Sequence, residues 1–291
     1  MKPPYFIYHD PTTLDEATEL YGRLDNAVLL AGGQSLMPMM NFRVANPDHV
    51  IDLNRIAPLS YIQCASDAVR FGAMTRQREL EFSADVRRVL PIVHEALMHV
   101  GHRQTRNRGT FGGSLCHLDP SAELLNMTVL HEGTLTAARS GGTREIAAQD
   151  WVDGIMTNAL EPGEVLSAIA LPLWPQGHGF AFEEFARRHG DFAIAAVSCL
   201  VTLDKAGAIA RAAVCVSGLG PGPVRVTAAE QALIGEMPSH ETFRAAAAES
   251  EKLEAMSDIY VSGDYRQHLA RILTYRALER ATKRGAERLA A

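Results

Sequence analysis

Short apolar runs that stop at paired glycines set the tightest limit on this fold. NAVLL runs into AGGQS at Gly32 and Gly33, and a second pair, Gly112 and Gly113, stands in TFGGS at 110–114. A strand that meets two glycines either turns sharply or brings its backbone close to something, because glycine has no Cβ to obstruct either. Around these pairs the chain alternates in type. TTLDEATELYGR reads as a helix in which Thr13 caps the amide of Glu16 while Glu16 reaches back, with Leu14, Ala17 and Tyr21 along one face. NAVLLAGG and, after the Pro47 turn, HVIDLNRI read as short strands that complete a small α/β unit near Ala57.

Further along, AVRFGAMT reads as a strand and ADVRRVLPIVHEALMHVG as one helix, striped by Val89, Ile92, Val93 and Ala96, with Pro91 near its first turns. HRQTRNRGTFGGSLCHLDPSAEL reads as a long loop of glycine, small polar and basic residues, of a length that tends to be functional or disordered. Asp119 is the expected N-cap and Pro120 the first residue of the helix that follows, whose buried stripe is Leu124, Leu125, Thr128 and Val129. TLTAARSGGTREIAA reads as a hairpin across Gly141–Gly142, GEVLSAIALPL as a strand and LWPQGHG as a linker. Beyond it come three strands, two of them joined at 205–208, and then helices, the last with Leu269, Ile272 and Leu273 on one face. The expected fold class is α/β, in the α+β sense. Residues 1–176 would form one domain of two subdomains, about 1–57 and 58–176, and residues 177–291 a three-stranded antiparallel sheet with a helical bundle.

Composition removes several function classes. A net charge of −6 gives no general attraction to nucleic acid or anionic membranes, so any phosphate binding must be local and built from backbone geometry. No run approaches ~18 apolar residues and the first residues lack a signal-peptide pattern, so no membrane span and a cytoplasmic location are expected. Cys64, Cys116, Cys199 and Cys215 form no CxxC pair and read as reduced, mostly buried thiols, with neither a zinc site nor an iron–sulfur cluster in this chain. GLGPGP at 218–223 is a turn, since its prolines remove amide donors, and HEALMH at 94–99 is one residue too long for a zinc helix. RQTRNR reads as a solvated or partner-facing surface, and no Walker loop or GxSxG elbow occurs. No catalytic residue and no metal ligand is nominated.

The glycine pairs remain. Successive glycine N–H groups can turn inward into a nest for phosphate oxygens, with neighbouring serine and threonine hydroxyls as added donors. Two such loops could grip the halves of a pyrophosphate, although each pair taken alone is better read as an ordinary turn. Asp119 and Glu123 read equally as helix caps and as acceptors for ribose hydroxyls.

LLAGGQSLMPMM, HRQTRNRGTFGGSLCHLDPSAEL, EVLSAIALP, FARRHGDFAIAA and GLGPGPVR occur in the order and spacing of one family. Over nearly its whole length the chain resembles the medium, FAD-binding subunits of the molybdenum hydroxylases, which include carbon monoxide dehydrogenase, quinoline oxidoreductase and xanthine dehydrogenase. The resemblance implies an FAD-binding fold of two α/β subdomains with a C-terminal sheet-and-helix domain against it. It implies that Ala31, Gly32, Gly33, Gln34 and Ser35, flanked by Leu29, Leu30 and Leu36, hold the FAD pyrophosphate from one side, and Thr110, Gly112, Gly113 and Ser114 from the other. Alanine at Gly32 or Gly33 should then weaken FAD binding more than folding. Asp119 and Glu123, with His117 nearby, match the ribityl and ribose region, and Leu166 an apolar adenine or flavin contact. Phe192 falls where members resembling carbon monoxide dehydrogenase carry a tyrosine near the isoalloxazine, and Ser114 where xanthine dehydrogenase-like members have asparagine.

By the same resemblance, substrate is oxidised on a molybdopterin-containing large subunit. Electrons cross two [2Fe-2S] clusters on a small subunit, and FAD in this chain passes them to an external acceptor, in a dimer of heterotrimers. No NAD fingerprint appears, which favours a quinone, a cytochrome or oxygen as acceptor. Two alternatives stay open: a stand-alone flavin oxidase with FAD tethered through His117 or Cys116, and a nucleotide-binding scaffold without redox turnover.

Overall fold

The computed structural model describes residues 1–289. Strand β1 (Ile7–His9), helix α1 (Leu14–Arg23), β2 (Ala27–Leu30), α2 (Leu36–Asn41) and β3 (His49–Asp52) form the first unit, a parallel sheet in the order β1-β3-β2. Thr13 caps α1 as its spacing predicts, accepting from Glu16 N at 3.2 Å, while Glu16 reaches back one residue further, to Thr12 N. Parallel pairing carries β2 and β3 to the same edge, Leu30 opposite Asp52, so the first glycine pair leaves the sheet beside the end of β3.

The second unit is built on β4 (Ile62–Cys64) and β5 (Ala68–Gly72), followed by α3 (Gln77–Phe82), α4 (Ala84–Val89), α5 (Pro91–Leu97), α6 (Arg103–Arg108), α7 (Phe111–His117) and α8 (Glu123–Leu130). Three sequence expectations change here. The single helix over 84–101 is two, because proline disfavours a helical conformation at the residue before it and Leu90 leaves the helix at φ −129°, ψ 57°. The long loop contains two short helices, α6 and α7. The α8 helix starts at Glu123 with Ala122 as its N-cap, because the Asp119 carboxylate bonds Ser121 N at 2.9 Å and spends itself on a turn instead. RQTRNR is not simply solvated either. Arg106 is 7% exposed and pairs with Glu81 at 2.9 Å.

The unit closes with β6 (Thr134–Arg139), β7 (Gly142–Ala147), the small hairpin β8 (Val152–Gly154) and β9 (Thr157–Asn158), and β10 (Val165–Pro172). The antiparallel sheet runs β4-β5-β10-β6-β7, and the β6–β7 turn pairs Arg139 with Gly142. After residues 173–178, β11 (Gly179–Phe185), β12 (Ala195–Leu203) and β13 (Ile209–Ser217) give the three expected long antiparallel strands. A two-residue strand, β14 (Val224–Arg225), extends that sheet. Helices α9 (Thr227–Leu233), α10 (His240–Ser250) and α11 (Gly263–Leu289) follow.

One face of the C-terminal sheet packs on α11 through Leu269, Leu273, Ala277 and Ala281. A Cβ on Gly179 would stand 1.8 Å from Ala281 O, so only glycine allows that approach. The other face enters the main core, where Phe182, Leu200 and Cys215 meet Phe111, Leu115, Leu124 and Leu135. Glu95 of α5 ties the far side, accepting from Phe182 N at 2.9 Å, from Arg284 at 2.8 Å and from Arg280. All four cysteines are free; Cys199 and Cys215 are buried, Cys116 half-buried and Cys64 exposed. Among the described residues no helix is long and apolar enough to cross a membrane, and no cluster of histidine, cysteine and carboxylate groups is placed to hold a metal ion.

Candidate functional site

The first glycine loop leaves β2 at Ala31 and ends where α2 begins at Leu36. Leu29 and Ala31 pack on the small core of the first unit, which anchors the loop's entry. Gly33 adopts φ +73°, a left-handed turn that swings the chain into α2, and the Gln34 side chain folds back onto Gly32 O at 3.1 Å. Among the described residues, none of the N–H groups of Gly32, Gly33, Gln34 and Ser35 has a protein acceptor. Four consecutive backbone donors at the end of a parallel strand are therefore left without a protein acceptor, a set of the kind an anion satisfies.

The second glycine pair has a different role from the nest its sequence suggests. Gly112 and Gly113 lie in the first turn of α7, and every amide there is engaged. Phe111 N donates to Thr75 O, Gly112 N to Ala73 O, Gly113 N to Thr110 Oγ1 and Ser114 N to Thr110 O, at 2.8–3.2 Å. The hydroxyls on this side are that of Ser114, which is half-buried, and that of Thr110, which is 2% exposed and accepts from Gly113 N. The glycines supply closeness. A Cβ on Gly112 would stand 2.6 Å from Ala73 Cβ, and one on Gly113 would lie 2.6 Å from Thr110 Oγ1 and 3.3 Å from Ala31 Cβ. The last contact brings α7 against the first loop.

Two side chains absent from the sequence reading join these loops. Asn54 donates to Ala31 O at 2.9 Å and accepts from the Arg76 guanidinium, which also donates to Arg108 O. Nothing in their local sequence marks them, because the two residues they connect, Ala31 and Arg108, are far from them and from each other in the chain.

At the other end of α7, about 10 Å away by helix rise, His117 is followed by Leu118 in a left-handed conformation, φ +55°. Asp119, Glu123 and Phe192 come together there through backbone ties. Ser121 Oγ donates to Ala193 O at 2.8 Å, and Gly218 N to Pro120 O at 3.1 Å. Phe192 is 68% exposed, after a loop that Gly190 (φ +85°) presses against His102. Burial raises the Asp119 carboxyl above its usual range. Glu123 is pushed up to about 8, first by desolvation and then by the Glu184 carboxylate, whose side chain is 4% exposed and lies 3.8 Å from His99 Nδ1. Leu166 is 3% exposed and packs in the main core, not on an open wall. Burial also pushes the Cys116 thiol up to about 12, which counts against a thiolate tether to flavin.

Residues 4–174 match the family described as the FAD binding domain in molybdopterin dehydrogenase, and residues 180–281 the CO dehydrogenase flavoprotein C-terminal domain. The chain is 37% identical to the alpha subunit of the 6-hydroxypseudooxynicotine dehydrogenase complex of Paenarthrobacter nicotinovorans, over 98% of this chain and 97% of that one. It is 36% identical to the beta subunit of caffeine dehydrogenase of Pseudomonas sp. (strain CBB1), over 98% and 97% of the two chains. Among solved structures it is similar to carbon monoxide dehydrogenase from Hydrogenophaga pseudoflava, with TM-score 0.94, 35% identity and coverage of 98% and 99%. It is also similar to quinoline 2-oxidoreductase from Pseudomonas putida 86, with TM-score 0.93, 32% identity and coverage of 97% and 99%.

Proposed function

The chain belongs to the FAD-binding family of molybdopterin dehydrogenases and is an oxidoreductase component, and on that premise we propose that it is the electron-transfer flavoprotein of a three-subunit molybdenum hydroxylase. Its partners would be a molybdopterin-containing large subunit and a small subunit with two [2Fe-2S] clusters, assembled as a dimer of heterotrimers. Residues 1–176 would bind FAD and residues 177–291 would pack against that domain, a division in keeping with the two family matches.

The observation that carries this reading is the row of amides from Gly32 to Ser35 without a protein acceptor, close to the helix that carries the Thr110 and Ser114 hydroxyls. An FAD diphosphate fits that donor set, since its oxygens accept hydrogen bonds and the chain's acidic character leaves local donors as the means of holding it. Gly32, Gly33, Gln34 and Ser35 would donate from the backbone, between Ala31 and Leu36, and Thr110 and Ser114 from their side chains. Leu29 and Leu30 would support the loop from β2, while Gly112 and Gly113 would set its distance from α7. His117, Asp119 and Glu123 would meet the ribityl and ribose region. Glu123, held near 8, is mostly protonated at neutral pH and can donate to a hydroxyl as well as accept from one. Phe192 would provide an exposed aromatic face for the flavin ring, and Leu166 would back the cleft from the core.

When bound, FAD supplies the exchange of electrons between one-electron carriers and a two-electron acceptor. This chain's residues bind it and orient it. The test is the absorbance of the purified chain. A flavin spectrum that is lost in Gly33→Asp, and that acid precipitation strips from the wild type, supports the reading. A colourless wild type that takes up no FAD on reconstitution rejects it. Molybdenum and iron in the co-purified complex test the partners.

A further inference from the structure

No backbone hydrogen bond joins residues 31–35 to residues 108–114 among the described residues. Their spacing is nonetheless close enough that a Cβ on Gly32 would meet Arg108 O at 2.3 Å and Gly109 Cα at 2.8 Å. What spans them is the relay from Ala31 O through the Asn54 amide to the Arg76 guanidinium and on to Arg108 O. Both members are fixed from behind. Asp52 Oδ1 accepts from Asn54 N at 2.9 Å, and Glu79 accepts from Arg76 N at 2.9 Å. Segments 75–77 and 109–111 are also paired, Gln77 N to Gly109 O and Phe111 N to Thr75 O, both 2.9 Å.

Arg76 has donors to spare, and its charge is met only at a distance, by the Glu79 and Asp52 carboxylates. Two of its guanidinium N–H groups are used by carbonyl oxygens, and the guanidinium makes no ion pair with a carboxylate among the described residues. Its cation is half-buried between the loops of a chain whose net charge is −6.

We infer that Arg76 is a positioning residue of the cofactor cleft: with Asn54 it fixes the distance between the two glycine loops before a ligand arrives, and it leaves a positive charge beside the diphosphate. This inference rests on the FAD reading above. The physical gain is twofold. A cleft already set at its final width loses less conformational freedom on binding, and a charge-assisted contact to phosphate is stronger than a neutral one.

The full-length apoprotein is titrated with FAD and with ADP over a range of salt, as wild type, Arg76→Gln, Arg76→Lys and Asn54→Ala, with Arg144→Gln as an ion-pair control elsewhere. Amide hydrogen exchange at Gln77 and Phe111 is followed in the ligand-free chains. Arg76→Gln should weaken both ligands about tenfold or more, with a flatter salt dependence. Arg76→Lys should keep the wild-type salt slope while recovering only part of the affinity, because an ammonium does not span both carbonyls. Asn54→Ala should weaken binding with the salt slope unchanged. Exchange at Gln77 and Phe111 should quicken in Arg76→Gln and Asn54→Ala and not in Arg144→Gln. Binding by Arg76→Gln within twofold of wild type, or no weaker than by Arg144→Gln, overturns the inference. If the wild type takes up neither ligand, the FAD reading fails by itself; unchanged exchange at Gln77 and Phe111 then overturns the loop-spacing role, and quickened exchange sustains it.

Discussion

A methyl group on Gly32 would stand 2.3 Å from Arg108 O, closer than real side chains come, whereas one on Gly33 would meet only the flexible ends of Met37 and Leu30 at 3.2–3.3 Å. Their neighbouring glycines therefore fail differently. Gly32→Ala must push the two loops apart, and thermal melts of the apoprotein should show a loss on the order of 1–3 kcal/mol together with loss of FAD binding. The expectation that alanine at either glycine weakens FAD binding more than folding thus meets its harder test at Gly32, where both should fall. Gly33→Ala carries a left-handed backbone cost of about 1 kcal/mol, and Gly33→Asn, which tolerates that conformation, should restore most of it. Glu123 gives a pH signature at the same scale. Its carboxyl sits near 8 in the folded chain against an ordinary 4.5, so its favourable contribution is full below about 4.5 and is lost as pH rises through about 8. The apoprotein should melt lower at about pH 9 than at about pH 6, and Glu123→Gln should flatten that difference.

Among the elements, α7 depends on what surrounds it. Two glycines in seven residues leave it little intrinsic helix propensity, and its first turn is held by Thr110 and by carbonyls of Ala73 and Thr75. Thr110→Ala should cost about 1 kcal/mol through the lost cap and should weaken FAD binding beyond that, a split that calorimetry and flavin titration resolve. The same dependence explains what could be read in advance. Helix α1 is written locally, in the cap at Thr13 and the spacing of Leu14, Ala17 and Tyr21, and strands β2, β3, β10 and β12 are written in apolar runs bounded by turns. Helix α7 is written nowhere in its own seven residues, so those residues look like loop. The site divides in the same way: AGGQS marks the first loop in the sequence, although a glycine pair by itself does not say whether its amides are free, while the relay through Asn54 and Arg76 joins residues 22 and 32 positions apart and leaves no local pattern.

Across the whole molecule, one buried core runs through both sides of the 173–178 linker, and Glu95 binds α5 to β11 and α11. Glu95→Ala leaves two guanidinium groups and the Phe182 amide without their shared acceptor, and should destabilise the chain by about 1–3 kcal/mol. Calorimetry should still record a single transition, since the shared core prevents either side from melting alone. That core also has a consequence for synthesis. A nascent chain that has emerged only as far as residue 178 lacks Phe182, Ala196, Leu200, Ala213 and Cys215, which belong to the same core as Leu124 and Phe111. Its first 170 or so residues must wait, with apolar surface wet, until β13 leaves the ribosome. Helix α8, which packs against β12 and β13, therefore reaches its final setting only once those strands have been made.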